Sequence, residues 1–334
     1  MAKKEEQEID INISKRNTDW LKGFFSLWVL LHHLYQETNI LGNTLLASHF
    51  RFFGFLAVTV FFFLTGYGLI ISYKIKGASY LRSFPRARIL SFYVKILIFV
   101  IIYTALNYFL TKEVDYRIIV SSLLLGQSII RNGWYLQVAL FMYLLYYVIF
   151  KLINHDALRL VASIVGIIGY SIWCIEIRKS GIWWYESNFA FIAGMLYGMI
   201  CSKKTKKVSK KSLVCFMISV TTFFVISYTL LIYCNYDVQV SLILKWIISC
   251  TFPVVMIFVC RGISKKIKLF HMLSKISLEV YVSQGIFLTL FHSWVWNIEN
   301  IYLYIVMVCS ATIVFSIVLH YFFQWMNQCI SKII

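Results

Sequence analysis

Between about residues 18 and 326 the chain alternates long apolar runs with short polar or basic interruptions. A helix needs roughly 20 residues to cross a hydrocarbon layer about 30 Å thick, and the runs recur at close to that length. About ten spans are expected, near 18–36, 52–73, 89–111, 134–153, 157–175, 182–201, 212–234, 239–261, 274–295 and 300–326. The predicted fold class is all-α: a polytopic integral membrane helical bundle. A tail over 1–17 precedes a membrane domain over 18–326, and a short tail over 327–334 follows it. The apolar part of 114–133, RIIVSSLLLGQSII, is too short to span and reads as either a re-entrant segment or a surface helix on the outer side. No internal repeat is visible.

Composition agrees with the pattern. Of 334 residues, 60% are hydrophobic, 14% are charged and 2 are proline, which excludes a large soluble domain. The segment MAKKEEQEIDINISKRNTDW is charged and lacks a small-residue cleavage pattern, so it reads as a cytosolic tail and not as a signal peptide. The net charge of +18 raises the question of a nucleic-acid partner, and the placement of the charges answers it. With both termini cytosolic, 23 of the 32 Lys and Arg fall on the inner side: in the tails, in Lys74 to Arg88, at Lys151 and Arg159, in the loop KKTKKVSKK, and in Arg261 to Lys275. Arg51, Lys112, Arg117, Arg131, Arg178 and Lys179 fall outside, and Lys22, Lys95 and Lys245 within spans. The asymmetry follows the positive-inside rule, so topology accounts for the charge and no nucleic acid is needed. Trp134, Trp173, Trp183, Trp184, Trp294 and Trp296 then fall at outer span ends as an interfacial belt. The eight cysteines are scattered without a CxxC pair or a clustered His, which favours packing or lipid contact over metal binding.

The first span holds the main anomaly. In TDWLKGFFSLWVLLHHLYQ, Lys22 and His33 stand eleven positions apart, which in a helix is about three turns, so both side chains share one face about 16 Å apart. His32 points about 80° away. Ionisable groups at membrane depth cost about 2.5 to 3.5 kcal/mol each even on lenient scales, so the expected meaning is a functional site. Glu37 lies one turn beyond His33 and either orients the ring or is a solvated residue at the helix end. Glu279 is a further intramembrane acid, with Lys95 or Lys22 as its expected partner. Gly66 and Gly68 are expected to let helices approach closely.

The approach and first span, RNTDWLKGFFSLWVLLHH, resemble the start of the membrane acyltransferase 3 family: Arg16, Asp19, Lys22, Gly23 and His33 fall on its pattern, with Lys where many members have Arg. GFLAVTVFFFLTGYGLII is similar to its second span, with Thr65, Gly66 and Tyr67 in place of Ser-Gly-Tyr. FPRARILSFY matches its basic loop through Arg88, Ile89 and Tyr93, with Ser91 where Pro is usual. GWYLQVALFMYLLYYVIF and NFAFIAGMLYG resemble later spans, and KISLEVYVSQGI carries Ser277 and Tyr281 with Gln284 where His is usual. The resemblance runs in order from about 16 to 295.

The resemblance implies an integral-membrane O-acyltransferase, most simply an O-acetyltransferase that moves acetyl from cytosolic acetyl-CoA to a hydroxyl of a cell-envelope or capsular polysaccharide. It implies a multi-pass protein of a bacterial plasma membrane, with no metal, working on a glycan acceptor in the lipid bilayer, alone or with a separate extracytoplasmic transfer partner. His33 is the expected general base, since imidazole titrates near working pH. Lys22 either holds a negative part of the donor or snorkels to the inner surface, and Asp19 and Arg16 support it. Arg86 and Arg88 are the expected clamps for the phosphates of coenzyme A, with Gly66, Tyr67 and Glu279 as supporting residues. The alternative is a transporter or flippase of a glycan or lipid-linked sugar, for which intramembrane charges line a path.

Overall fold

The computed structural model describes residues 8–42, 44–124, 126–202, 207–234, 236–263 and 267–333. Residues 1–7 of the amino-terminal tail, 203–206 of the lysine-rich loop, 264–266 of the late basic loop and Ile334 lie outside the described residues. The elements are β1 (Glu8–Asp10), α1 (Lys15–Thr38), α2 (Leu45–Lys76), α3 (Ala78–Phe84), a π-helical turn (Pro85–Leu90), α4 (Ser91–Thr111), α5 (Tyr116–Leu123), α6 (Trp134–Leu152) and α7 (Asp156–Ile172). A second π-helical turn (Trp173–Ile177) and a 3-10 turn (Ile182–Trp184) lead to α8 (Phe189–Cys201), β2 (Lys207–Ser209), α9 (Lys210–Tyr233), α10 (Val238–Arg261), α11 (Lys268–Lys275), α12 (Ser277–Leu290) and α13 (Ile301–Ile333). Apart from the short antiparallel pairing of β1 with β2, the described chain is helical.

Among the described residues, 7 helices are long and apolar enough to cross a membrane: Leu46–Lys76, Ala78–Thr111, Trp134–Leu152, Asp156–Ile177, Lys210–Tyr233, Val238–Arg261 and Ile301–Cys329. The other three expected spans differ for identifiable reasons. Helix α1 has 24 residues but carries Lys15, Arg16, Asp19, Lys22 and two histidines. The expected 182–201 span is helical only from Phe189, because Ile182–Trp184 is a 3-10 turn and Glu186, Ser187 and Asn188 are buried ahead of α8. Its 13 residues reach about 20 Å. The expected 274–295 span is broken at Ile276, leaving α12 with 14 residues. The 114–133 segment is an 8-residue helix, α5, followed by turns up to Gly133.

The chain forms two compact units. Within its described residues, the first takes the chain up to Lys22 together with Phe55–Arg82 and Leu145–Lys268. Here α2 and α8 nearly touch backbone to backbone: a Cβ on Gly66 would stand 2.2 Å from the Phe191 carbonyl oxygen, and one on Gly194 2.0 Å from that of Phe63. Gly68, by contrast, faces open space. Two largely buried charges are neutralised locally. Lys245 Nζ is 2.6 Å from Glu186, and buried Arg159 reaches Asp156, the Tyr73 hydroxyl and the Ile153 carbonyl. Trp184 is not a belt residue: it is buried, with the Arg178 guanidinium 3.6 Å from its ring centre. Trp173 and Trp183 are exposed. All eight cysteines are free thiols, with Cys174, Cys201 and Cys260 buried.

The second unit comprises Gly23–Gly54, Ser83–Leu144 and the described part of Leu269–Ile334. Its core joins α1 to α12 and α13 through Leu30, Leu34, Leu288, Phe291, Tyr304 and Val308. A second cluster of Leu273, Ile276 and Val280 packs on Leu27, Ile313 and Ile317. Gly23 is needed where α1 meets α11, since a Cβ there would lie 2.1 Å from the Phe270 carbonyl oxygen.

Candidate active site

The second unit assembles polar groups around the carboxy-terminal end of α1. The ring of His33 is half-buried, and its Nδ1 lies 2.9 Å from Gln36 Oε1, one turn along the same helix. An amide oxygen can only accept, so Nδ1 carries the hydrogen and the lone pair is left on Nε2. The Asn132 amide stands 3.3 Å from the same Nδ1, and its two ends can exchange by a flip. Asn132 itself sits at φ 59°, a left-handed conformation that Asn tolerates better than most residues, in the turn closed by Gly133 N–H to Ile130 O at 2.8 Å. Tyr281 of α12 donates its hydroxyl to the Asn132 carbonyl at 2.9 Å and fixes that turn.

Glu37 does not orient the imidazole. Its carboxylate pairs with Arg131 at 2.5 Å, while the other arm of the guanidinium donates to Thr289 at 3.2 Å. The reason is positional: Gln36 already satisfies Nδ1, and the 126–133 turns bring a cation to the carboxylate. Helix α12 presents Tyr281, Gly285 and Thr289 to this cluster as a stripe four residues apart. Gly285 is required there, because a Cβ would stand 2.3 Å from the Tyr103 hydroxyl and 2.9 Å from Arg131 Cβ. Gln284, where the family pattern has His, is buried and donates to the Tyr281 carbonyl at 2.9 Å.

His32 takes a structural place. It is buried, it donates Nδ1–H to the Phe50 carbonyl at 2.9 Å, and its ring fills the space that Gly54 leaves open. Glu279 pairs with Lys95, Nζ to Oε1 at 3.0 Å, so of the two expected partners it takes Lys95. Arg86 and Arg88 are exposed on the π-helical turn Pro85–Leu90 that leads into α4. The remaining expected residues belong to the first unit. Arg16, exposed, and Asp19 and Lys22, half-buried, lie on the first two turns of α1. Tyr67 accepts the Ile13 N–H at 3.1 Å, while Gly66 makes the α2–α8 contact. Among the described residues no group of three His, Cys, Asp or Glu is placed to hold a metal.

Gln36, Arg131, Asn132 and Thr289 are site residues that spacing along the chain did not reveal. The Asn132–Gly133 dipeptide, a turn signal ahead of a span, is the feature of the sequence that could have pointed to them.

Comparison with curated proteins and with solved structures finds no match. A family model described as an acyltransferase domain matches residues 16–321, so this multi-pass helical chain belongs to the acyltransferase 3 family of membrane acyltransferases.

Proposed function

We propose that the protein is an O-acetyltransferase that takes acetyl from cytosolic acetyl-CoA and places it on a hydroxyl of a cell-envelope or capsular polysaccharide. The observation that carries this reading is the contact of His33 Nδ1 with Gln36 Oε1 at 2.9 Å near the carboxy-terminal end of α1, an arrangement in which Nδ1 bears the hydrogen and Nε2 is left to act as the base. The acceptor hydroxyl gives its proton to Nε2 as its oxygen attacks the thioester carbonyl. A C–O bond forms, the C–S bond breaks, and the thiolate takes up a proton to leave as coenzyme A. Charge gathers on the carbonyl oxygen in between, and Arg131 and Asn132 are the donors suited to stabilise it. Arg86 and Arg88 meet the phosphates of the donor, which guanidinium groups bind as forks.

On this reading α1, α8 and α12 complete a set of ten spans with both termini cytosolic, in a bacterial plasma membrane. The three helices that fail a simple length-and-hydropathy measure are those that carry His33, follow Glu186 and carry Glu279. A polytopic protein concentrates polar residues where its chemistry takes place, at the cost of apolarity. Acceptor delivery falls to the membrane part itself or to a separate extracytoplasmic partner.

The test compares envelope polysaccharide by NMR from cells with and without the gene and from cells carrying His33→Ala. O-acetyl signals should be lost without the gene and in His33→Ala; polysaccharide acetylated equally in all three would overturn the proposal. Labelling of the acceptor from acetyl-CoA in isolated membranes separates a transferase from a transporter of sugars.

A further inference from the structure

A second polar group lies on the other side of α12, about 200° round from the Tyr281 stripe, and none of its residues takes part in the chemistry proposed above. Glu279 Oε1 is 3.0 Å from Lys95 Nζ of α4 and 3.8 Å from His320 Nδ1 of α13. Gln324 Nε2 lies 2.8 Å from His320 Nε2. An amide N–H donates there, so the neutral ring carries its hydrogen on Nδ1, the nitrogen that faces Glu279.

These side chains belong to regular stripes. Thr312, Ser316, His320 and Gln324 follow one another at four-residue intervals on α13, as do Glu279 and Ser283 on α12 and Ser91 and Lys95 on α4. Helices α12 and α13 run antiparallel, since Glu279 meets His320 while Leu288 accepts from Tyr304 at 3.1 Å. One turn beyond the ion pair, Ser283 therefore comes level with Ser316. At the other end, Ser91 Oγ reaches Asn327 Oδ1 at 3.4 Å. Exposure falls steadily along the seam. Gln324 and Asn327 are exposed, the side chains of Lys95 and His320 are each 21% exposed, that of Glu279 is 2% exposed, and Ser283, Ser316 and Thr312 are fully buried.

Those last three hydroxyl oxygens have no hydrogen-bond partner within the described chain. Each buried unpaired hydroxyl costs about 1–3 kcal/mol, and native proteins satisfy such groups with protein atoms or ordered water. Three in a row beside a buried carboxylate mark a place built for water, and acids and histidines inside membrane helices commonly line proton routes.

We propose that the seam between α4, α12 and α13 is a proton-access path. A file of internal waters enters at the Gln324–Asn327 end, passes His320 and Lys95, reaches Glu279 and continues along Ser283, Ser316 and Thr312. A hydronium ion at the open end protonates Nε2 of the neutral ring, and the Gln324 amide turns its oxygen to the new N–H. The Nδ1–H bond then breaks as an O–H bond forms on Glu279, leaving a neutral acid and an imidazole with its hydrogen on Nε2, which a ring flip returns to the starting arrangement. Lys95 restores the ionised carboxylate, through its ion pair, when the proton moves on.

Two measurements on the full-length protein in membranes test this. Hydroxyl radicals made from bound water by a short X-ray pulse oxidise the side chains touching that water. Ser316→Cys and Val308→Cys place thiols at two fully buried sites of the same helix, one on the seam and one in the apolar cluster. Oxidation at 316 should be about tenfold faster or more, since thiol oxidation follows access; equal rates would show the seam to be dry and overturn the proposal. In acidified membranes, the infrared carboxyl band of Glu279, identified by its loss in Glu279→Gln, should shift within minutes of transfer to heavy water. A band unshifted after hours would refute proton access even if water is present.

Discussion

Cutting the Lys95–Glu279 ion pair from one side or the other should have unequal consequences, because its two members are buried to different depths. The Glu279 side chain is 2% exposed and the Lys95 side chain 21%. Lys95→Met therefore strands a buried carboxylate, its nearest remaining cation being His320 at 3.8 Å, which helps only when protonated. Removing one partner of a buried pair costs about 3–5 kcal/mol, so Lys95→Met belongs at that end of the range. Glu279→Gln leaves an ammonium that is partly exposed and lies 4.8 Å from the centre of the Phe323 ring, so its cost should fall to about 1–2 kcal/mol. The double variant has no charge left unpaired and should cost about as little as Glu279→Gln, about 1–2 kcal/mol, so the coupling is about as large as the Lys95→Met loss, about 3–5 kcal/mol. Thermal unfolding of the four proteins in detergent at neutral pH measures the cycle. If Lys95→Met were no worse than Glu279→Gln, or the double variant as unstable as Lys95→Met, the burial asymmetry would not govern the pair.

His33→Ala should lower acetyl transfer by about 10²–10⁴-fold, the usual worth of a general base, with acetyl-CoA binding largely kept. Lys22→Ala should instead weaken donor binding, and equal loss of binding in both variants would contradict separate roles. Gln36→Leu removes one neutral hydrogen bond to the ring, worth about 0.5–1.5 kcal/mol, so the turnover rate should fall about 2- to 10-fold. Asn132→Gly in the same background, which keeps the left-handed turn and removes the amide, should add to that loss, whereas an unchanged rate would mean that Nδ1 is held some other way. Gly66→Ala should destabilise by about 1–3 kcal/mol or more, because its Cβ meets the rigid backbone at Phe191. Gly68→Ala, two residues on and facing open space, should be neutral or stabilise by about 0.5–1 kcal/mol in a thermal unfolding comparison.

Much of this protein is written in one dimension. Hydropathy runs are local sums over about 20 consecutive residues, so the helical membrane class and seven of its spans follow from sequence. The ordered residues from Arg16 to Tyr281 pointed to the family, and the apolar runs around them marked His33 and Glu279 as titratable groups that call for a partner or a role before any packing was known. What the periodicity could not supply was partners. Glu37 looked able to hold the His33 ring because both lie on one helical face, yet the ring is held by Gln36 and by Asn132 from a turn 99 positions away, while Glu37 goes to Arg131. Which of two lysines meets Glu279, why Trp184 is buried, and why Gly66 is constrained and Gly68 is not were equally decided by the fold. A helical repeat fixes the direction of a side chain relative to its own axis, whereas hydrogen bonds and ion pairs act over about 3 Å between groups that only the packing of separate segments brings together.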